Sequence, residues 1–135
     1  MSSFVVYDSS IVIDLIRSGS FFEQMDTSDD IIRSSSVVLA ELWRGASARA
    51  DREIVRWMQE NFRILTPTES NWIESGQILA RMQADHGFEP KKLRDLHFDV
   101  LIALTARAHG ARLITSNRGD FELIRKYRGF ELEVW

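Results

Sequence analysis

Five short apolar runs, separated from one another by segments of helical periodicity, constrain this chain more than any other feature. Phe4–Tyr7 (FVVY), Ile31–Arg33, Arg63–Leu65 and Arg112–Thr115 have the length and β-branched content of strands, and Phe130–Val134 alternates apolar and acidic residues as an edge strand does. Between the first two, Ser9 to about Arg17 reads as a helix capped near Ser9 or Ser10. Ser18–Glu23 reads as a turn into a short helix, and Thr27–Asp30 as a loop. Ser34–Ser36 cap a helix beginning VVLAELWRGA, which Gly45 interrupts or ends, and Arg49–Asn61 forms an amphipathic helix. Thr68 caps the long helix TESNWIESGQILARMQADHG, with Trp72, Ile73, Ile78, Leu79 and Met82 on its inner face and Gly87 at its end. Phe88–Leu96, polar and containing Pro90, reads as a loop. Phe98–His109 reads as a strong helix stopped by Gly110, and Phe121–Tyr127 as the last helix. Parallel strands need crossovers, so this order predicts an α/β domain, single over residues 1–135, around a central, mainly parallel sheet of about five strands.

Ligands of such sheets bind beyond the carboxyl ends of the strands. Asp8 stands there, after the first strand, and Asp120 follows the fourth. Two more acids interrupt apolar helices: Glu41 in VVLAELWRG and Asp99 in LHFDVLIALTARA. Ala103 and Ala106, four and seven residues past Asp99 on its face, would let that helix approach the sheet closely. Singly, each acid has a structural explanation. Asp8 and Asp120 could cap helices, Glu41 could pair with Arg44, and Asp99 could favour a helix dipole. Together they suggest convergence. Two carboxylates about 4 Å apart repel by about 4 kcal/mol at an effective dielectric of 20, which protons or cations must relieve. An all-oxygen site suits a hard cation and metal-assisted phosphodiester hydrolysis. His86, His97 and His109 are scattered, so nothing suggests zinc.

Composition narrows the setting. With 17 basic and 20 acidic residues the net charge is −3, which argues against nucleic-acid binding through the overall field but not against a basic rim around an acidic site. Lys91, Lys92, Arg94 and Arg118 are the candidates for such a rim. There is no cysteine, no signal peptide is evident, and no apolar run approaches the ~20 residues of a membrane span. A cytoplasmic, reducing setting is the expectation.

The segments YDSSIVIDLI, SSVVLAELWRG, DVLIALTARAHGARLITSN and TSNRGDF resemble those of PIN-domain ribonucleases, most of all the VapC toxins of type II toxin–antitoxin pairs. The resemblance covers nearly the whole chain. It implies a PIN-like three-layer α/β/α fold and an Mg²⁺- or Mn²⁺-dependent endoribonuclease that cleaves RNA by metal-activated water. It puts Asp8 and Asp99 forward as metal ligands, with Glu41 and Asp120 completing the catalytic acids and Thr115 and Asn117 supporting them. It also implies a VapB-like antitoxin whose C-terminal segment lies in an apolar groove near Trp43, Trp57 and Met58. The expected assembly is a homodimer or a toxin–antitoxin hetero-oligomer. Two rival readings are an inactive PIN-like module that only docks RNA or protein, and an aspartyl-nucleophile phosphatase. The phosphatase would normally need a second Asp where this chain has Ser10.

Overall fold

A computed structural model describes residues 3–135. The chain alternates strand and helix as β1 (Phe4–Tyr7), α1 (Ser9–Ser18), α2 (Phe22–Thr27), β2 (Ile31–Ser35), α3 (Ser36–Gly45), α4 (Arg49–Asn61) and β3 (Arg63–Leu65). It continues as α5 (Glu69–His86), α6 (Pro90–Ala108), β4 (Ala111–Thr115), α7 (Arg118–Arg125) and β5 (Leu132–Val134). The five strands form one sheet in the order β3-β2-β1-β4-β5, and every neighbouring pair is parallel.

That order places the site. From β1 the chain moves outward through β2 to β3, then returns to pair β4 on the other side of β1. Connections diverge at the carboxyl ends of β1 and β4, which opens a crevice there. The register pairs Tyr7 with Ile114, and the Asp8 N–H donates to the Ile114 carbonyl at 2.9 Å. The residues that follow the two strands therefore emerge side by side.

Local chemistry agrees with most of the expected elements. The Ser35 hydroxyl accepts from the Val37 and Val38 N–H groups and starts α3. Thr68 and Asn71 cap α5 reciprocally. Gly87 and Gly110, at φ 64° and 67°, take the left-handed conformation that ends the two long helices. Val5, Val6, Leu113 and Ile114 of the central strands are buried between helices, together with Ile11, Val38, Leu101, Ile102 and Phe121.

Three expectations need correction. Phe88–Leu96 is not a loop throughout, because α6 begins at Pro90, and proline at the first helical position gives up an N–H that would have no partner anyway. The last helix likewise begins at Arg118 rather than Phe121, capped by Asn117, so Asp120 lies inside its first turn. Trp72 and Ile73 do not reach the core; they are 53% and 59% exposed. The inner face of α5 is set by Ser75, Ile78 and Met82, and Ile73 lies about 200° around the helix from Ser75. Trp72 shares that face but meets only the edge of His97, at 6.1 Å between ring centroids. Trp57, in line with a place near a groove, is exposed and meets Phe62 edge-on at 5.3 Å between ring centroids. Trp135 packs on Tyr7 and Phe21, and its N–H donates to the Thr115 carbonyl.

Candidate active site

Asp8 is the one buried carboxylate among the described residues, 3% exposed where β1 gives way to α1. Its Oδ2 accepts from Ser10 Oγ at 2.9 Å and from Thr115 Oγ1 at 2.8 Å. These two hydroxyls lie 3.3 Å apart, and the Ser116 N–H donates to Ser10 Oγ. One carboxylate oxygen is thus pinned by both strand ends. The other, Oδ1, is buried and has no hydrogen-bond partner. A buried carboxylate oxygen without a donor is costly, and its cost is relieved by a proton or a cation.

Glu41 and Asp99 feel its charge, and Asp99 also feels that of Asp120. Asp99 lies in the third turn of α6, between the buried Leu96 and Val100. Because α6 starts at Pro90, Asp99 is too far from the helix N-terminus for the dipole to account for it. Ala103 and Ala106 are both buried, which keeps the helix close to the sheet. Burial first, and then the charges of Asp8, Glu41 and Asp120, push the Asp99 carboxyl up to about 8, against a lowering influence from Lys92. No hydrogen bond is among these causes. Glu41, midway along α3, is pushed up to about 7 by burial and by Asp8, opposed by Arg44 and by a hydrogen bond from Ser9 at 3.5 Å. Exposed Asp95 raises it further. Mutual repulsion of this kind requires the four carboxylates to share one region.

Asp120 differs from the others because both of its oxygens are engaged. Lys92 Nζ pairs with Oδ1 at 2.7 Å, and Asn117 Nδ2 donates to Oδ2 at 3.2 Å. Asn117 also accepts the Asp120 N–H, while its own N–H donates to Thr115 Oγ1 at 2.9 Å. Thr115 therefore links the Asp8 side of the cluster to the Asp120 side. Lys91 and Arg118 are exposed at the starts of α6 and α7, on the rim.

The donor set consists of oxygens, and Asp8 Oδ1 lacks a partner, so the chemistry of these residues fits a hard divalent cation. Among the described residues no three acids or histidines stand as a ready-made metal cluster.

Two participants had only weak signals in the sequence. Ser10, rather than Ser9, is the hydroxyl on Asp8, and its spacing of two residues from a carboxylate is the turn geometry that could have marked it. Lys92 faces the acids because Pro90 starts a helix, a role that a loop reading hides.

A groove of about 350 Å³ runs beside the sheet, lined by apolar Phe22, Met25, Ile54, Trp57, Met58 and Phe62 among others. No helix among the described residues is long and apolar enough to cross a membrane.

Comparison with known proteins agrees with this architecture. No curated protein matches the chain. The DNA-bound VapBC structure from Salmonella typhimurium is similar at 26% identity and a TM-score of 0.73, over 100% of this chain and 99% of that one. VapBC2 from Rickettsia felis, bound to a promoter DNA fragment, gives 22% and 0.73, with 98% of each chain covered. VapBC-1 from nontypeable Haemophilus influenzae gives 21% and 0.71 over 98% of each chain. The family model of the PIN domain matches residues 5–127, in keeping with the parallel five-stranded sheet, and the chain belongs to the PIN domain family.

Proposed function

We propose that this chain is a divalent-cation-dependent endoribonuclease and the toxin of a VapBC-type toxin–antitoxin pair, acting as one domain over residues 1–135 in the cytoplasm. The observation that carries the reading is the buried, partnerless Oδ1 of Asp8 beside the mutually repelling Asp99 and Glu41. Asp8 and Asp99 would hold an Mg²⁺ or Mn²⁺ ion. When bound, such an ion supplies positive charge against the phosphate and acidifies water. Glu41, with a carboxyl near 7, is suited to take a proton from an attacking water. Ser10 and Thr115 hold Asp8 in one orientation, and Asn117 holds Asp120. Arg118 and Lys91 on the rim would attract the RNA backbone, which the net negative charge of the chain does not.

Likeness to the VapBC structures supports an antitoxin partner, and the apolar groove with its exposed Trp57 suits an amphipathic antitoxin segment. Exposed Trp72 and Ile73 on α5 offer a face to a second copy of the chain. The test is cleavage of an end-labelled RNA pool by the purified protein. Products should appear with Mg²⁺ or Mn²⁺, vanish in EDTA, and be lost in Asp8→Asn and Asp99→Asn. Cleavage that survives EDTA, or persists in both folded variants, overturns the proposal.

A further inference from the structure

Lys92 is placed against the usual preference of its helix. It is the third residue of α6, where the helix dipole disfavours a cation. What offsets this is Asp120, whose Oδ1 lies 2.7 Å from the Lys92 ammonium. The contact is only partly exposed, with 41% of the Lys92 side chain and 25% of the Asp120 side chain open to solvent. The second oxygen of Asp120 accepts from Asn117 Nδ2 at 3.2 Å, so each oxygen already has a donor. Asp8 Oδ1, by contrast, is buried and partnerless. The charge of Lys92 also lowers the Asp99 carboxyl, so the ammonium that pairs with Asp120 acts on both acids. Nucleases that use two ions hold them about 3.5–4 Å apart between shared carboxylates. Here a side-chain cation already stands on one side of the acids.

We propose that Lys92 is a resident cation of this centre, taking the place of a second divalent ion at Asp120, so that the cluster binds a single ion at Asp8 and Asp99. This rests on the metal-dependent reading above. It commits the site to one-ion chemistry and makes Lys92 the residue that sets the stoichiometry. An uncharged side chain at this position would leave Asp120 free and the cluster one positive charge poorer, and a second ion would then enter.

The experiment is to count bound Mn²⁺ by titration calorimetry, with electron paramagnetic resonance reporting free Mn²⁺. The wild type, Lys92→Arg, Lys92→Met and the double variant Lys92→Met/Asp120→Asn are compared, with Lys92→Gln as a second uncharged form and circular dichroism to verify folding. One ion is expected in the wild type and in Lys92→Arg, two in Lys92→Met and Lys92→Gln, and one again in the double variant. Two ions in the wild type, or one in both uncharged variants, overturn the proposal for Lys92 while leaving a metal-dependent enzyme intact. A wild type that binds no Mn²⁺ overturns both.

Discussion

At the scale of single residues, the chemistry of the site depends on how Asp8 is held. Its Oδ2 takes hydrogen bonds from Ser10 and Thr115, and this directs the partnerless Oδ1 away from them. Thr115→Ala should therefore loosen the orientation of Asp8 more than it harms the fold. We expect roughly a 10–100-fold fall in RNA cleavage with a stability loss of about 1 kcal/mol. Parallel cleavage assays and urea unfolding will separate the two. Asp99 should behave in the opposite sense in metal-free protein. It is a half-buried acid pushed up to about 8 by burial and by neighbouring charges, so Asp99→Asn removes repulsion. The variant should be more stable than wild type in EDTA at pH 8, while losing cleavage. A variant less stable than wild type under those conditions would contradict the description of Asp99. The positions of the four acids, two after strand ends and two within apolar helices, were legible in the sequence. Their hydrogen-bond partners were not. Which of Ser9 and Ser10 faces Asp8 depends on the turn of α1 relative to β4, and that is a long-range property.

At the scale of elements, strands and helices followed from periodicity wherever packing and local chemistry agree. β3 and α4 have the expected limits, Arg63–Leu65 and Arg49–Asn61. The start of α6 was hidden because Pro90 serves equally in a loop or at a helix start, and Glu89 before it makes no side-chain cap. The exposure of Trp72 could not be read from its face of α5 either, since it depends on how far the neighbouring layer extends. Exposure also separates the two roles of α4, where Val55 is buried and Trp57 is 54% exposed over the groove. Trp57→Ala should leave unfolding within about 0.5 kcal/mol of wild type, as a surface change does. It should weaken binding of the cognate antitoxin by about 2 kcal/mol or more, as loss of a buried aromatic anchor does. Unfolding curves and a binding titration check both halves. Undiminished antitoxin affinity would place the partner elsewhere.

At the scale of the whole molecule, a parallel sheet brings together acids that are distant in sequence, and their repulsion becomes a property of the fold. Glu41 and Asp99 hold protons up to about 7 and about 8, whereas in an unfolded chain they would release them near pH 4. The folded state then binds more protons than the unfolded state across this window. The stability of metal-free protein should fall as pH rises from about 4 to about 8, and Mn²⁺ should restore most at the upper end. Thermal unfolding with EDTA and with Mn²⁺ at a series of pH values checks both trends. If the acids at the carboxyl ends of β1 and β4 exchange protons for a divalent ion, calorimetric titration of Mn²⁺ at pH 7, in buffers of differing ionisation enthalpy, tests that exchange most directly. The account predicts net proton release on ion binding, reduced in Asp99→Asn and abolished with binding itself in Asp8→Asn. Mn²⁺ binding that releases no protons, or that is unchanged in both variants, would contradict it.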